Sequence, residues 1–333
     1  MKRSNSRSQS NPVQRPIILF GATAVGKTAA VFELVRQLKR FCFELVSADS
    51  RQVYRRFDIG TAKPVGAERE LLPHHLIDIL EGDHPFDAGR FVQSCDALVP
   101  EIAGREAIPV ISGGTAFYLQ RYLFGLPSTP AASEEIRRRL LERLEVEGLD
   151  ALRQELAGVD PQAEARIGRN DAYRVVRALE VFEETGLPLS DHPVPQDIRN
   201  GIEPLVIGLF RPRAELYRRI NDRVHRMMEK GLSREVTELL AEGYTADDPA
   251  FRSIGYREFI ETGDGPPWSE SELRDIEARI ARNSRRYAKR QELFFRRIPG
   301  VTWLHAEDFD GLVTIVSKWI ESLGLDSLNN RSS

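Results

Sequence analysis

Pro16-Ile17-Ile18-Leu19-Phe20-Gly21-Ala22-Thr23-Ala24-Val25-Gly26-Lys27-Thr28 is the stretch from which the fold can be read. The residues before Gly21 form a short apolar run, readable as a buried strand. Gly21–Thr28 fits the phosphate-cradling pattern G-x-x-x-x-G-K-[ST]. Ala29, Ala30, Phe32, Leu34, Val35 and Leu38 then predict a helix over 27–40. Glycines let the backbone turn so that several N–H groups point inward, at a helix N-terminus that already favours anions. Lys27 would reach the outer phosphate, and the Thr28 hydroxyl would help to hold Mg²⁺. The loop announces a diphosphate or triphosphate without saying which. Its bland alternative is an ordinary glycine-rich strand–helix turn.

Outward from this loop, the first 128 residues alternate apolar runs with helical patterns. Ile17–Phe20, Phe43–Ser47 and Ile108–Ile111 are candidate parallel strands, with helices over 27–40 and 88–104 between them. That rhythm predicts an α/β fold: a P-loop NTPase-like parallel sheet flanked by helices. Ligands of such sheets sit at the carboxyl ends of the strands. The phosphate loop, Asp49-Ser50 and Gly113-Gly114-Thr115 all fall there. Residues 129–200 leave this rhythm and predict an all-helical insertion between proline-rich joints. Leu205–Phe210 returns as a buried strand, 213–297 is helical again, and Val301–Leu304 is a last short strand. The core is therefore expected over 16–128 and 201–325, with polar tails at 1–15 and 326–333.

Composition narrows the function. The 333 residues carry a net charge of −3, so no global field attracts nucleic acid and any such site must be a local patch. Cys42 and Cys95 are the only cysteines, which excludes a disulfide framework and a Cys-rich zinc module and suits a reducing compartment. No apolar run approaches the roughly 18 residues of a membrane span. The expected setting is the cytoplasm, with no membrane partner.

Three further features carry chemistry. Ser47-Ala48-Asp49-Ser50 delivers a carboxylate beside the phosphate loop, as a helix cap, a water-mediated Mg²⁺ ligand or a general base. Ile108–Ile111 is a strand of the kind that ends in an acid in many nucleotide hydrolases. Here it runs into Ser112-Gly113-Gly114-Thr115, which weakens the case for triphosphate hydrolysis. Basic residues crowd two helical segments, 211–230 and 282–297, the second holding a single acid, Glu292. An apolar seam of Ile280, Tyr287 and Phe294, with Ala288 and Phe295 beside it, would pack one face while the other stays cationic. Arg252–Arg257 adds two arginines around a Gly-Tyr turn suited to stacking or phosphate contacts. His74-His75 makes a poor metal site, since adjacent histidines on a regular element point apart.

These motifs, taken together, resemble the tRNA dimethylallyltransferases, enzymes that prenylate the adenosine just 3′ of the anticodon. The resemblance rests on Gly21–Thr28, Asp49-Ser50 with Val53-Tyr54, Asp58–Pro64, Pro73–Asp78, Gly113–Thr115, Asn170-Asp171 with Arg174 and Arg177–Glu180, Arg252–Arg257, and Ala288–Gln291, in family order from residue 17 to about 304. Ala22, Val25 and Phe294 depart from the family's usual Pro, Ser and Trp. No cysteine follows Cys95, so the resemblance is to the bacterial branch and not to the eukaryotic one with its zinc finger.

The resemblance implies that the loop Gly21, Ala22, Thr23, Ala24, Val25, Gly26, Lys27 and Thr28 holds the diphosphate of dimethylallyl diphosphate with Mg²⁺. Asp49 is then the general base, Thr23 contacts the bridging oxygen, and Lys27 with Arg223 or Arg219 stabilises the leaving group. The tRNA anticodon stem-loop would meet Asp49, Ser50, Arg51, Gln52, Thr115, Arg137, Tyr173, Arg174, Val175, Val176, Arg177, Arg252, Ser253, Ile254, Gly255, Tyr256, Arg257, Arg285, Lys289 and Arg290. Gln52 and the Gly-Gly-Thr loop would receive the unstacked base, and residues 129–200 would clamp the tRNA. The expected assembly is a monomer. Two rivals remain at this point: a P-loop kinase of a small metabolite, and an RNA-binding module that only senses nucleotide.

Overall fold

A computed structural model of the chain describes residues 13–129, 133–193, 195–263 and 265–324. Segments 1–12 and 325–333, which hold most of the two expected tails, lie outside the described residues. The elements run β1 (Ile17–Gly21), α1 (Lys27–Gln37), β2 (Cys42–Ser47), α2 (Gly66–Leu71), β3 (His74–His75), α3 (Ala88–Gly104), β4 (Ala107–Gly113), α4 (Ala116–Phe124), α5 (Glu134–Glu147), α6 (Leu149–Val159), α7 (Pro161–Arg166) and α8 (Ala172–Thr185). They continue with β5 (Leu205–Phe210), α9 (Arg213–Glu229), α10 (Leu232–Ala241), α11 (Arg257–Ile260), α12 (Glu270–Phe295), β6 (Thr302–His305) and α13 (Phe309–Ser322). Two compact units result. One runs to Leu123 and resumes at Asn200; the other is Phe124–Arg199.

The first unit is built on a six-stranded sheet in the order β3-β2-β4-β1-β5-β6, with every pairing parallel. Parallel strands are covered on both faces and therefore read as continuous apolar runs. That is why β1, β2, β4 and β5 are legible from sequence, and β1 is buried throughout. The polar edge strand β3, two residues long, has no such signature. Gln14, expected in the disordered tail, instead bridges to Ile202, donating its N–H to the Gly201 carbonyl at 2.9 Å. Its backbone pairing prolongs the β1–β5 ladder at the start of those strands. No helix among the described residues is long and apolar enough to cross a membrane.

The longest helix, α12, starts at Ser269, whose hydroxyl accepts from the Glu272 N–H while the Glu272 carboxylate accepts from the Ser269 N–H. This reciprocal cap satisfies two otherwise orphaned donors. Its buried face runs Ile276, Ile280, Ala288, Gln291 and Phe295. The first two join a core with Val53, Phe57, Val224 and Tyr256, while Ala288 joins the core beneath the sheet with Ile17, Leu19 and Val31. Phe295 stacks on Phe20 of β1, ring centroids 4.4 Å apart. The core aromatic is thus Phe295, not the seam residue Phe294, because the buried stripe advances by slightly more than the 3.5 residues that a strict 280–287–294 repeat implies.

The second unit packs α5–α8 around Leu140, Leu152, Leu156, Val175, Val176 and Leu179. Asp160 is buried within it and accepts from Ala163 N and from the Ser190 backbone and hydroxyl, at 2.7–2.9 Å.

The tightest backbone approach in the sheet is at the end of β4. A Cβ added to Gly113 would lie 2.1 Å from the Ala48 carbonyl oxygen, a backbone atom that cannot step aside. Gly104, at the end of α3, has nothing within 4 Å of such a Cβ. Gly113→Ala should therefore cost roughly 1–3 kcal/mol or more, whereas Gly104→Ala should be neutral or stabilising by up to ~1 kcal/mol. Urea unfolding of the two variants checks this; equal midpoints would refute the close approach.

Candidate active site

The site begins where β1 ends. After Gly21 the chain turns through Ala24 (φ 63°) and Gly26 (φ 121°) into α1. A side chain is strained at the second of these, and glycine removes the strain. The loop is braced from outside by arginines. Arg211 Nε donates to the Val25 carbonyl at 2.6 Å, and Arg219 Nε to the Ala24 carbonyl at 3.0 Å. Arg223 Nη1 lies 3.5 Å from the Thr23 hydroxyl, and its Nη2 is 3.4 Å from the Thr61 carbonyl. Arg219 and Arg223 therefore have different places: Arg219 props the loop's backbone, and Arg223 faces the Thr23 side chain. Arg211, counted in the basic patch from sequence, is buried and ion-paired with Glu215 and Glu307. It is an internal strut, not a surface charge.

Lys27 opens α1 and folds back over the loop, donating to the carbonyls of Gly21 and Ala22 at 2.9 and 3.0 Å. Burial lowers its pKa to about 8, against the opposing pull of Asp49, and nearby Arg223 lowers it further. Thr28 follows it, exposed in the first turn of α1.

Asp49 is aimed by a second set of contacts. The Thr115 N–H donates to the Ala48 carbonyl at 3.0 Å, and the Ser50 N–H to the Thr115 hydroxyl at 2.9 Å. One Asp49 oxygen accepts from the Arg51 N–H at 2.9 Å. The other oxygen takes no part in that turn. Tyr287, on α12, stands over this turn; burial pushes its pKa up to about 12, while a hydrogen bond with Thr115 pulls the other way.

Thr23, Asp49, Ser50, Arg51, Thr61 and Arg223 line one cavity of about 260 Å³. The wall continues with Gly60, Arg252, Ser253, Arg257, Ser284, Tyr287 and Arg290, and with an apolar part from Ile220, Val224, Met227, Ile254 and Ile280. Among the described residues that line it, Asp49 is the one acid.

Sequence reasoning placed several residues on the nucleic-acid side that the structure buries. Val175 and Val176 are core residues of the helical unit, because α8 turns that face onto α5 and α6. Arg137 and Arg177 both approach Glu180 there, at 3.9 and 3.0 Å, while Tyr173 and Arg174 are exposed. Ser253, Gly255 and Tyr256 are buried too. The Tyr256 ring packs against Gly60 and Phe57, and its hydroxyl donates to Glu235, so it cannot stack on a base. Gln52 is not on the cavity wall; its amide is engaged by Ser47, Thr61 and Ala62. Arg285 and Lys289 lie on α12, where Arg285 donates to Asn221 at 2.5 Å. Lys63 of the polar stretch 58–64 is buried and pairs with the exposed Asp58 and the half-buried Asp78, so it belongs to the scaffold. His75 pairs with Glu44 at 2.7 Å.

Gln291, which sequence reasoning named only within the Ala288–Gln291 motif and the basic stretch, has a role that the sequence did not assign. It is 3% exposed, accepts from the Thr23 N–H at 2.9 Å and donates to the Gly114 carbonyl at 2.5 Å. One amide thereby ties the phosphate loop to the loop that aims Asp49. The clue available in the sequence was a polar residue at a helical spacing of core positions, between Ala288 and Phe295.

With this geometry in hand, comparison with known proteins is direct. A family model described as IPP transferase matches residues 52–298. A tRNA dimethylallyltransferase of Syntrophobacter fumaroxidans is 43% identical over 303 residues, covering 90% of this chain and 86% of that protein. One from Geobacter sulfurreducens is 41% identical, covering 94% and 99%. Among solved structures, the tRNA isopentenylpyrophosphate transferase of Bacillus halodurans is 35% identical with a TM-score of 0.65, covering 96% of this chain and all of that one. A eukaryotic dimethylallyltransferase described as acting on tRNA is 27% identical with a TM-score of 0.72, covering 96% and 80%. The chain thus belongs to the IPP transferase family, on the P-loop NTPase-like fold that its tRNA-modifying relatives share.

Proposed function

We propose that this protein transfers a dimethylallyl group from dimethylallyl diphosphate to the exocyclic N6 of the adenosine 3′-adjacent to the anticodon of tRNA, releasing diphosphate. The observation that carries the reading is the cavity itself. Its one acid, its loop-facing arginine and an apolar wall stand together, and the cationic helix α12 forms one side. A kinase of a small metabolite fits less well, since β4 runs into Ser112-Gly113-Gly114 with no acid to order a triphosphate's metal.

The adenine amine is a weak nucleophile, because its lone pair is delocalised into the ring. Asp49 takes the N6 proton as nitrogen bonds to C1 of the prenyl group. The C1–O bond breaks at the same time, and its electron pair leaves on the diphosphate. Loop N–H groups, the Lys27 ammonium, the Thr23 hydroxyl and Arg223 face the oxygen on which that charge gathers. The donor set suits Mg²⁺ that enters with its ligand. Thr28 offers one exposed hydroxyl, and no cluster of three or more metal-binding side chains exists among the described residues. Mg²⁺ commonly takes one or two protein oxygens and completes its shell with phosphate and water. When bound, it would neutralise charge on the diphosphate. The base reaches Asp49 only out of its stack. Arg285, Lys289 and Arg290 of α12 supply phosphate contacts.

Asp49→Asn is nearly isosteric and should lower single-turnover transfer by about 10²–10⁴-fold while both substrates still bind. A near-normal rate would remove Asp49 from the role of base.

The Lys27 pKa near 8 gives a pH dependence with a definite sign. Below that value the ammonium is present and grips the diphosphate. Above it the free enzyme loses the charge, so affinity should fall by up to tenfold per pH unit, with proton uptake on binding. Calorimetry from pH 7 to pH 9.5 in two buffers of different ionisation enthalpy reads both. Lys27→Arg should flatten the profile, since guanidinium stays charged throughout.

Neutralising Arg285 and Lys289 together should weaken tRNA binding and reduce the log–log salt slope by roughly 0.7–0.9 per lost phosphate contact. Diphosphate affinity should be unchanged. An unaltered slope would mean that this face is merely solvated.

A further inference from the structure

The cavity at Asp49 has a neighbour. A groove of about 570 Å³ lies beside it, lined among others by Lys63, Arg226 and Lys230. Arg223 and Met227 line both spaces, and so form the partition between them. Met227 is buried, at 8% exposure. It stands one turn beyond Arg223 on α9, a rise of about 6 Å along the axis. Ile220, Val224 and Met227 make a stripe at helical spacing along the cavity, and Ile280 joins them from α12. That stripe begins level with the arginines that face the phosphate loop, and it stops at Met227.

We propose that Met227 is the wall that limits this site to a prenyl diphosphate of one isoprene unit. The inference rests on the prenyl-transfer reading above. With the diphosphate on the loop and Arg223 over Thr23, the hydrocarbon follows the apolar stripe of α9. One isoprene unit occupies the turn between Arg223 and Met227. A second unit has to pass the Met227 side chain, and beyond it the space widens into a groove whose lining includes charges of both signs, Arg69, Arg226 and Lys230 with Asp58, Glu68 and Asp78. Length discrimination therefore resides in one thioether side chain and not in the size of the whole cavity. Met228, next in sequence, packs into the apolar core instead and lines neither space, which makes it a matched control.

The test uses the full chain and three probes: inorganic pyrophosphate, dimethylallyl diphosphate and geranyl diphosphate, each with Mg²⁺. Binding is read by calorimetry, and transfer by the mass added to tRNA. A single methylene in an apolar pocket is worth about 10–200-fold in specificity. The unmodified protein should therefore favour dimethylallyl over geranyl diphosphate by at least a hundredfold. Met227→Ala should raise the geranyl-to-dimethylallyl ratio at least tenfold, and Met228→Ala should leave it unchanged. Pyrophosphate should bind all three proteins alike. An unchanged ratio in a folded Met227→Ala protein overturns the proposal, as does an unmodified protein that accepts both prenyl lengths equally. If Met227→Ala does not fold, Met227→Val supplies the same comparison with a smaller opening. Length discrimination in binding that responds to Met227, without any transfer to tRNA, would keep the wall and overturn the prenyl-transfer reading. Loss of pyrophosphate binding in every protein would instead overturn the placement of the diphosphate on the loop.

Discussion

The carboxyl edge of the parallel sheet brings the reacting groups together, and its tightest point is the end of β4 against the end of β2. Gly113 passes so close to the Ala48 carbonyl that no side chain fits. This approach lets Thr115 bind the Ala48 carbonyl and accept from Ser50. The Asp49 turn is held from both sides as a result. The phosphate loop follows β1 and Asp49 follows β2, with β4 between the two strands, so only the side-chain-free Gly113-Gly114 at the end of β4 stands between the loop and the carboxylate. This is the general position of ligands in open α/β sheets.

A loop of this kind turns backbone N–H dipoles toward an anion and leaves carbonyls that need donors. The structure meets the carbonyls with two arginines and a lysine. Arg211, Arg219 and Lys27 donate to four of them, between Gly21 and Val25. Such charge-assisted hydrogen bonds are roughly twice as strong as neutral ones. They fix the loop's backbone, and a loop so fixed has less freedom to lose on binding. Gln291 completes the bracing with a neutral amide that accepts from Thr23 and donates to Gly114. Because Gln291 sits on the same helix as Arg285, Lys289 and Arg290, one rigid element carries both the brace and the cationic face.

Burial then sets the electrostatics. Lys27 and Arg223 are cations in a poorly solvated place, and both have pKa values held below their ordinary ones, chiefly by desolvation, with Asp49 opposing. On the proposed reading, the diphosphate would relieve that cost.

Much of this was legible in the chain. Four of the six strands follow from apolar runs, because parallel strands buried on both faces need such runs, whereas β6 is a short, partly exposed edge strand. The phosphate loop is local, so eight consecutive residues specify it. Asp49 and Gly113-Gly114-Thr115 follow from their position at strand ends. Tertiary structure decided the rest, and the reason is the same each time: the partner is far away in sequence. Arg211 reads as a surface charge until Glu307 and the Val25 carbonyl surround it. Tyr256 reads as a stacking residue until Gly60 and Glu235, some 196 and 21 positions away, bury it. Gln291 meets Thr23 across 268 positions. Sequence alone determines which elements form and where their polar ends fall. Which of those polar residues face a ligand, and which hold the scaffold, is settled only when distant segments pack and compete for the same hydrogen bonds.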